Sequence, residues 1–154
     1  MNCLSFDVGG TTIKYGVINN SYEVIHKDKI PTPKDEEKFI ESLSEIIQKN
    51  INNISKVSVG MPGYVNVASN KYLYGPHLPF AIDFSKLSNF SDYKFYLDND
   101  GNVAAYCEYF LNYKNKYSNL IMLTFGTGVG GGIISEGRLL SLIHISEPTR
   151  QEAI

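Results

Sequence analysis

Three clusters in this chain combine residue types that handle phosphate and a proton: Asp7-Val8-Gly9-Gly10-Thr11-Thr12-Ile13-Lys14, Asp98-Asn99-Asp100, and Gly126-Thr127-Gly128-Val129-Gly130-Gly131-Gly132. Paired glycines let a backbone approach a phosphate closely and turn N–H groups toward it. Gly9 and Gly10 suit that task, Thr11 and Thr12 add hydroxyl donors, and Lys14 adds positive charge. Asp7 closes an apolar run, where a carboxylate can hold the waters of a magnesium ion. Taken alone, the same segment would serve as a tight hairpin with a capping Asp. The third cluster has five glycines in seven positions between apolar runs. Ordering glycine is costly in backbone entropy, so such a run suits close approach to a ligand. It is not a P-loop, because no Gly-Lys-Ser/Thr follows, nor a dinucleotide fingerprint, because a strand follows it.

The middle cluster opens a helix. Plain N-capping accounts for Asp and Asn there. Between two phosphate turns it reads instead as a base beside a hydrogen-bonding amide, both facing a cleft. A carboxylate suits the positive end of a helix, and closure over a substrate would desolvate it and strengthen it as a base. The combined chemistry points to phosphoryl transfer.

These clusters need elements to position them. Cys3 to Val8 reads as a buried strand, with Ile13, Tyr15 and Val17 alternating on the next. Glu23 to Ile30 reads as a third strand, stopped by Pro31 and Pro33. Asp35, Glu36 and Glu37 open a helix whose apolar face is Phe39, Ile40, Leu43, Ile46 and Ile47. Ile54 to Val59 and Phe95 to Leu97 read as strands, with an irregular stretch over 64–94 that includes a hairpin. A helix is expected from Asn99 or Asp100 to about Lys116, then strands at Leu120 to Phe125 and Val129 to Ser135. The alternation predicts an α/β fold.

Bulk properties exclude several classes. The 154 residues carry a net charge of −2 with no basic block, so neither nucleic acid nor an anionic membrane is an expected partner. No apolar run reaches the roughly 18 residues of a membrane span. The N-terminus lacks the pattern of a signal peptide. Cys3 and Cys107, far apart in apolar contexts, read as small buried side chains of a reducing compartment. The expected location is the cytoplasm.

Together the motifs, in this order, resemble the ROK family of sugar kinases and related repressors, within the actin-like, hexokinase and Hsp70 ATPase superfamily. The resemblance runs over residues 2–139. Asp7 to Lys14 is similar to the family's first phosphate motif and Gly126 to Gly132 to its second. Asn99-Asp100 matches the Asn-Asp pair, continued by Asn102, Ala104, Ala105 and Glu108. Val59-Gly60-Met61-Pro62-Gly63 and Gly75-Pro76-His77-Leu78-Pro79 resemble segments near the sugar. Gly101 stands where Ala is usual, Cys107 where a smaller residue is, and His77 where Asn is common.

The resemblance implies an actin-like (ribonuclease H-like) small lobe, a mixed sheet with flanking helices, plus the first hairpin of a truncated large lobe. It implies ATP-dependent phosphorylation of a hexose-type hydroxyl, with ATP and Mg2+ as cofactors and a homodimer as the assembly. Asp100 takes the catalytic base position. Asn99, Gly63 and His77 take sugar positions. Asp7, Gly9, Gly10, Thr11, Thr12, Lys14, Gly126, Thr127, Gly128, Gly130 and Gly131 take phosphate positions. No metal ligand set is implied here beyond Asp7 through magnesium-bound water, and a structural zinc belongs only to the part not present. The family's Gly-Glu and Gly-His sugar contacts are missing as well.

The alternative is a sugar-binding transcriptional regulator of the same family. Such members carry a winged helix-turn-helix before the first phosphate motif, and Met1 lies only six residues ahead of Asp7. The retained Asp100 and both glycine turns favour the kinase. A chaperone-like ATPase of the superfamily is disfavoured by Asn99-Asp100 and the residues that follow. Domain limits are expected at 1–117 for the small lobe and 118–139 for the start of the large one. Residues 140–154 read as non-native, because Leu140 to Arg150 matches, codon for codon, a translated transposase sequencing-library adapter. His144, Glu147 and Arg150 therefore carry no functional weight. The native product is expected to continue beyond Leu139, and this truncated chain is expected to be inactive and only marginally stable.

Overall fold

A computed structural model describes residues 2–88, 92–125 and 129–140. Gly126, Thr127, Gly128 and residues 141–154 lie outside them. The chain divides into two compact units, one ending at Asp100 and the other starting at Gly101.

The first unit is built on a five-stranded mixed sheet. Its strands are β1 (Asn2–Val8), β2 (Thr12–Ile18), β3 (Val24–Pro31), β4 (Ile54–Met61) and, after a smaller subassembly, a strand at Lys94–Asn99. β2 is antiparallel to both β1 and β3, while β4 runs parallel to β1. Helix α1 (Glu36–Asn50) connects the meander to β4. It starts where the sequence says it should: the Asp35 carboxylate accepts from the Lys38 N–H at 3.0 Å, and Glu36 and Glu37 occupy the positive first turn. Phe39, Leu43, Ile46 and Ile47 are buried along one face. They pack against Leu4, Phe6, Val8, Ile13, Val57 and Val59 of the sheet in one continuous core.

Residues 64–88 contain the expected hairpin and hold more regular structure than their sequence suggests. They hold a small antiparallel sheet of β5 (Tyr64–Asn66), β6 (Lys71–Tyr74) and β7 (Ile82–Asp83), then one helical turn, α2 (Ser85–Ser88). Strands of three, four and two residues are too short to show a period. Phe84 ties this sheet to the rest: its ring lies 6.3 Å from Phe39 of α1 and 5.8 Å from Phe95. The strand carrying Phe95, β8 (Lys94–Asn99), is parallel to β4 and completes the order β3-β2-β1-β4-β8. The mixed sheet with flanking helices thus agrees with the α/β expectation.

The second unit begins in helix α3 (Asp100–Glu108). The helical path does not run on regularly to Lys116. Residues Tyr109–Tyr113 form a wider turn in which the Lys114 N–H donates to the Tyr109 carbonyl at 2.8 Å. One extra residue per turn shifts the helical period there. Cys107 is exposed rather than buried, because it shares the outward face with Val103, one turn earlier. Cys3 is half-buried.

A three-stranded antiparallel sheet follows: β9 (Leu120–Phe125), β10 (Val129–Ser135) and β11 (Arg138–Leu140). Gly132 of β10 crosses α3 so closely that a Cβ there would lie 2.6 Å from that of Ala105. Packing alone therefore accounts for one glycine of the run. The opposite face leaves Ile121 71%, Leu123 58% and Phe125 79% exposed. Among the described residues, no helix is long and apolar enough to cross a membrane.

Tyr72 of β6 gives a test of the core. It is fully buried, its hydroxyl has no partner among the described residues, and burial pushes its phenol up to about 12. An unfolded tyrosine ionises near 10, so the folded state is fully favoured below about pH 10 and loses stability as pH climbs toward 12. Burial also raises Tyr93 to about 12. Tyr72→Phe removes an orphaned hydroxyl. It should raise unfolding stability by roughly 1 kcal/mol near neutral pH and by more at about pH 11. Equilibrium urea denaturation at the two pH values checks this; a lower midpoint for the variant at both would contradict it.

Candidate functional site

The carboxyl ends of β1, β4 and β8 lie together at one edge of the sheet, the place where open α/β sheets bind ligands. Strand register sets a row of residues across that edge. Asp7 pairs with Lys14 on one side and with Gly60 on the other, and Gly60 pairs with Asp98. Pleating sends alternate side chains to opposite faces, so Leu4, Phe6 and Val8 enter the core while Asp7 stays 64% exposed on the other face. Lys14 shares that face, with its ammonium 3.6 Å from the Asp7 carboxylate. Both groups are largely exposed, so this pair adds little to stability.

The turn after β1 is fastened from behind. The Gly9 N–H donates to the Thr12 carbonyl at 3.0 Å. The Gly9 carbonyl accepts from the Thr32 hydroxyl at 2.7 Å, and the Thr11 carbonyl from the Thr32 N–H at 2.9 Å. The Gly10 carbonyl accepts from the Lys34 ammonium. None of these bonds uses the N–H groups of Gly10 and Thr11. The turn therefore differs from a simple glycine cradle: Gly9 spends its donor internally, which makes the Gly10 and Thr11 N–H groups the candidate donors for an anion. Thr32 is buried although polar. Sequence reading missed it, and the available signal was a hydroxyl residue fixed between Pro31 and Pro33.

A second corner joins Asn99 to Gly63. The Asn99 side-chain amide donates to the Gly63 carbonyl at 2.9 Å, with the Met61 carbonyl 3.5 Å away. The Asn99 N–H donates to the Asp98 carboxylate at 2.7 Å, which gives Asp98 a role that sequence reading did not assign. Gly63 has φ of +100°, and a Cβ there would lie 2.5 Å from the Tyr74 carbonyl oxygen. Asp100 follows at the start of α3 and is exposed. Its Cα would lie 3.8 Å from a Cβ on Gly60, which places its backbone beside the Asp7–Gly60–Asp98 row. His77 packs against Gly10, where a Cβ would sit 2.8 Å from the His77 Cβ.

The structure therefore gathers Asp7, Gly9, Gly10, Thr11, Thr12, Lys14, Gly63, His77, Asn99 and Asp100 within the first unit. Gly130 and Gly131 lie in β10 of the second. Among the described residues, no group of three or more His, Cys, Asp or Glu side chains is placed to hold a metal.

Glycines 60 and 63 separate fold from site. Gly63→Ala forces a residue with a side chain into a left-handed conformation and a clash with backbone, and should lower stability by roughly 1–3 kcal/mol. A Cβ at Gly60 meets only ordinary contacts, at 3.7 and 3.8 Å. Gly60→Ala should keep the fold while placing a methyl group between Asp7 and Asp98. Thermal melts of the two variants check this, and equal destabilisation would contradict it.

Comparison with known proteins gives a consistent result. The model of the ROK family matches residues 3–141. A glucokinase of Streptomyces coelicolor is 29% identical over 140 residues, covering 88% of this chain and 44% of that protein. An N-acetylmannosamine kinase of Vibrio cholerae is 31% identical over 144 residues, covering 90% and 50%. Among solved structures, a ROK family glucokinase from Streptomyces griseus, in complex with glucose and AMPPNP, superposes with a TM-score of 0.77 at 26% identity, covering 91% of this chain and 46% of that one. The chain thus spans about half the length of the relatives it matches.

Proposed function

Because the chain belongs to the ROK family, we propose that it is the phosphate- and acceptor-binding half of an ATP-dependent kinase for a hexose-type sugar. The observation that carries this reading is the parallel register of β1, β4 and β8, with Asp7, Gly60 and Asp98 in one row and the Asp100 backbone alongside. The kinase names of the relatives support the substrate class.

In the proposed reaction, the acceptor sugar lies over the Asn99–Gly63 corner. Asn99 already fixes the turn through the Gly63 carbonyl, so its amide plane is set before substrate arrives. Asp100 takes the proton of the attacking hydroxyl as its oxygen bonds to the γ-phosphorus of ATP and the bond from that phosphorus to the leaving ADP oxygen breaks. The N–H groups of Gly10 and Thr11, with the Thr11 and Thr12 hydroxyls, hold phosphoryl oxygens in line with that hydroxyl. By the resemblance alone, the second glycine run, Gly126 to Gly132, is assigned to nucleotide phosphates. The exposed Asp7 carboxylate fits a magnesium ion held through its waters, since a hard cation prefers oxygen donors and keeps part of its hydration. When bound, that ion neutralises phosphate charge. Lys14 sits against the same carboxylate and balances it otherwise. The full-length protein is proposed to be the active form and this chain by itself an inactive, cytoplasmic half. The sugar is proposed to be glucose or an N-acetylhexosamine.

Asp100→Asn in the full-length protein should cut kcat about 10²- to 10⁴-fold while sugar binding changes little. A coupled ADP-release assay with isothermal titration of the sugar checks this. Wild-type turnover in the variant would remove Asp100 from the role.

A further inference from the structure

The residue after the Pro-Thr-Pro segment reaches two loops at once. The Lys34 ammonium donates to the Gly10 carbonyl, and the His77 carbonyl lies 3.5 Å from the same nitrogen. Gly10 belongs to the first glycine turn and His77 to the 75–79 segment. The two already touch, since a Cβ on Gly10 would meet the His77 Cβ and Cγ at 2.8 Å. Lys34 is solvent-exposed. An exposed ammonium gains little stability from such partners, and ordering its long stem costs rotamer entropy. A small energetic return suggests that its value is positional. One cation spans two carbonyls from segments more than 60 residues apart.

We propose that Lys34 is a positioning residue that couples the two halves of the site: its ammonium ties the phosphate turn at Gly10 to the acceptor loop at His77, so that filling either side orders the other. This rests on the kinase reading above, in which Gly10 serves phosphate and His77 serves the sugar. Three N–H donors on one rotatable ammonium let both carbonyls be held together. Methionine at this position keeps most of the stem and loses the donors; arginine keeps charge and donors.

The test uses the full-length protein as wild type, Lys34→Met and Lys34→Arg. Sugar affinity is measured by titration calorimetry with and without magnesium AMPPNP, beside kcat and KM. In the wild type, nucleotide should tighten sugar binding by about 5-fold or more. Lys34→Met should lose that gain and lower kcat about 10-fold, while sugar affinity without nucleotide stays within about 2-fold and the thermal midpoint is unchanged. Lys34→Arg should recover part of the coupling. If the wild type turns over sugar but Lys34→Met keeps full coupling and kcat, the inference falls and the kinase reading stands. A wild type whose sugar and nucleotide sites are uncoupled overturns it equally. A wild type with no sugar-dependent turnover overturns the kinase reading and this inference with it.

Discussion

Much of the candidate site depends on the hydrogen bonds that hold the Gly9, Gly10 and Thr11 carbonyls from behind. Thr32 and Lys34 supply the donors. A backbone whose carbonyls are engaged on one side has its remaining N–H groups available on the other, which is what an anion needs. The Thr32 hydroxyl is buried, so leaving it without its carbonyl partner would cost about 1–3 kcal/mol, and that penalty keeps the turn in one shape. Pro31 and Pro33 limit the conformations from which Thr32 must be ordered. The glycines alone would give freedom; the neighbouring segment turns that freedom into a fixed geometry.

The parallel strands set the second constraint. Pairing β1 with β4 and β4 with β8 in register brings residues from three distant parts of the chain to one edge. A shift of one residue would exchange Asp7 with Val8 or Phe6 and bury a carboxylate. The apolar faces of β1 and β4, packed on α1, make such a slip costly. The same core that stabilises the unit therefore also fixes which groups meet at the sheet edge.

Legibility in the sequence followed the range of the interactions. β1, β2 and α1 were readable because alternation, a helical period and the Asp35 cap are local signals. The glycine motif and Asn99-Asp100 were readable by resemblance. The hairpin expected within residues 64–94 is present as β5 and β6, but the three-stranded sheet it belongs to was not legible, because strands of three, four and two residues are too short to show a period. The widened turn at Tyr109–Tyr113 interrupts the helix expected to run on to about Lys116. Thr32 and Lys34 were missed because their partners lie 23 and 24 residues away, and nothing local marks such a bond. Asp98 was quoted with its neighbours, but only register shows that it faces the site.

The most direct measurement is an amide NMR titration of the full-length protein, labelled at glycine and threonine, with magnesium AMPPNP. The Gly10 and Thr11 amides should shift saturably and further than the Gly9 amide, whose N–H is already bonded to the Thr12 carbonyl. If Gly10 and Thr11 stay in place at saturating nucleotide, this turn does not hold phosphate, and the account of the site is wrong.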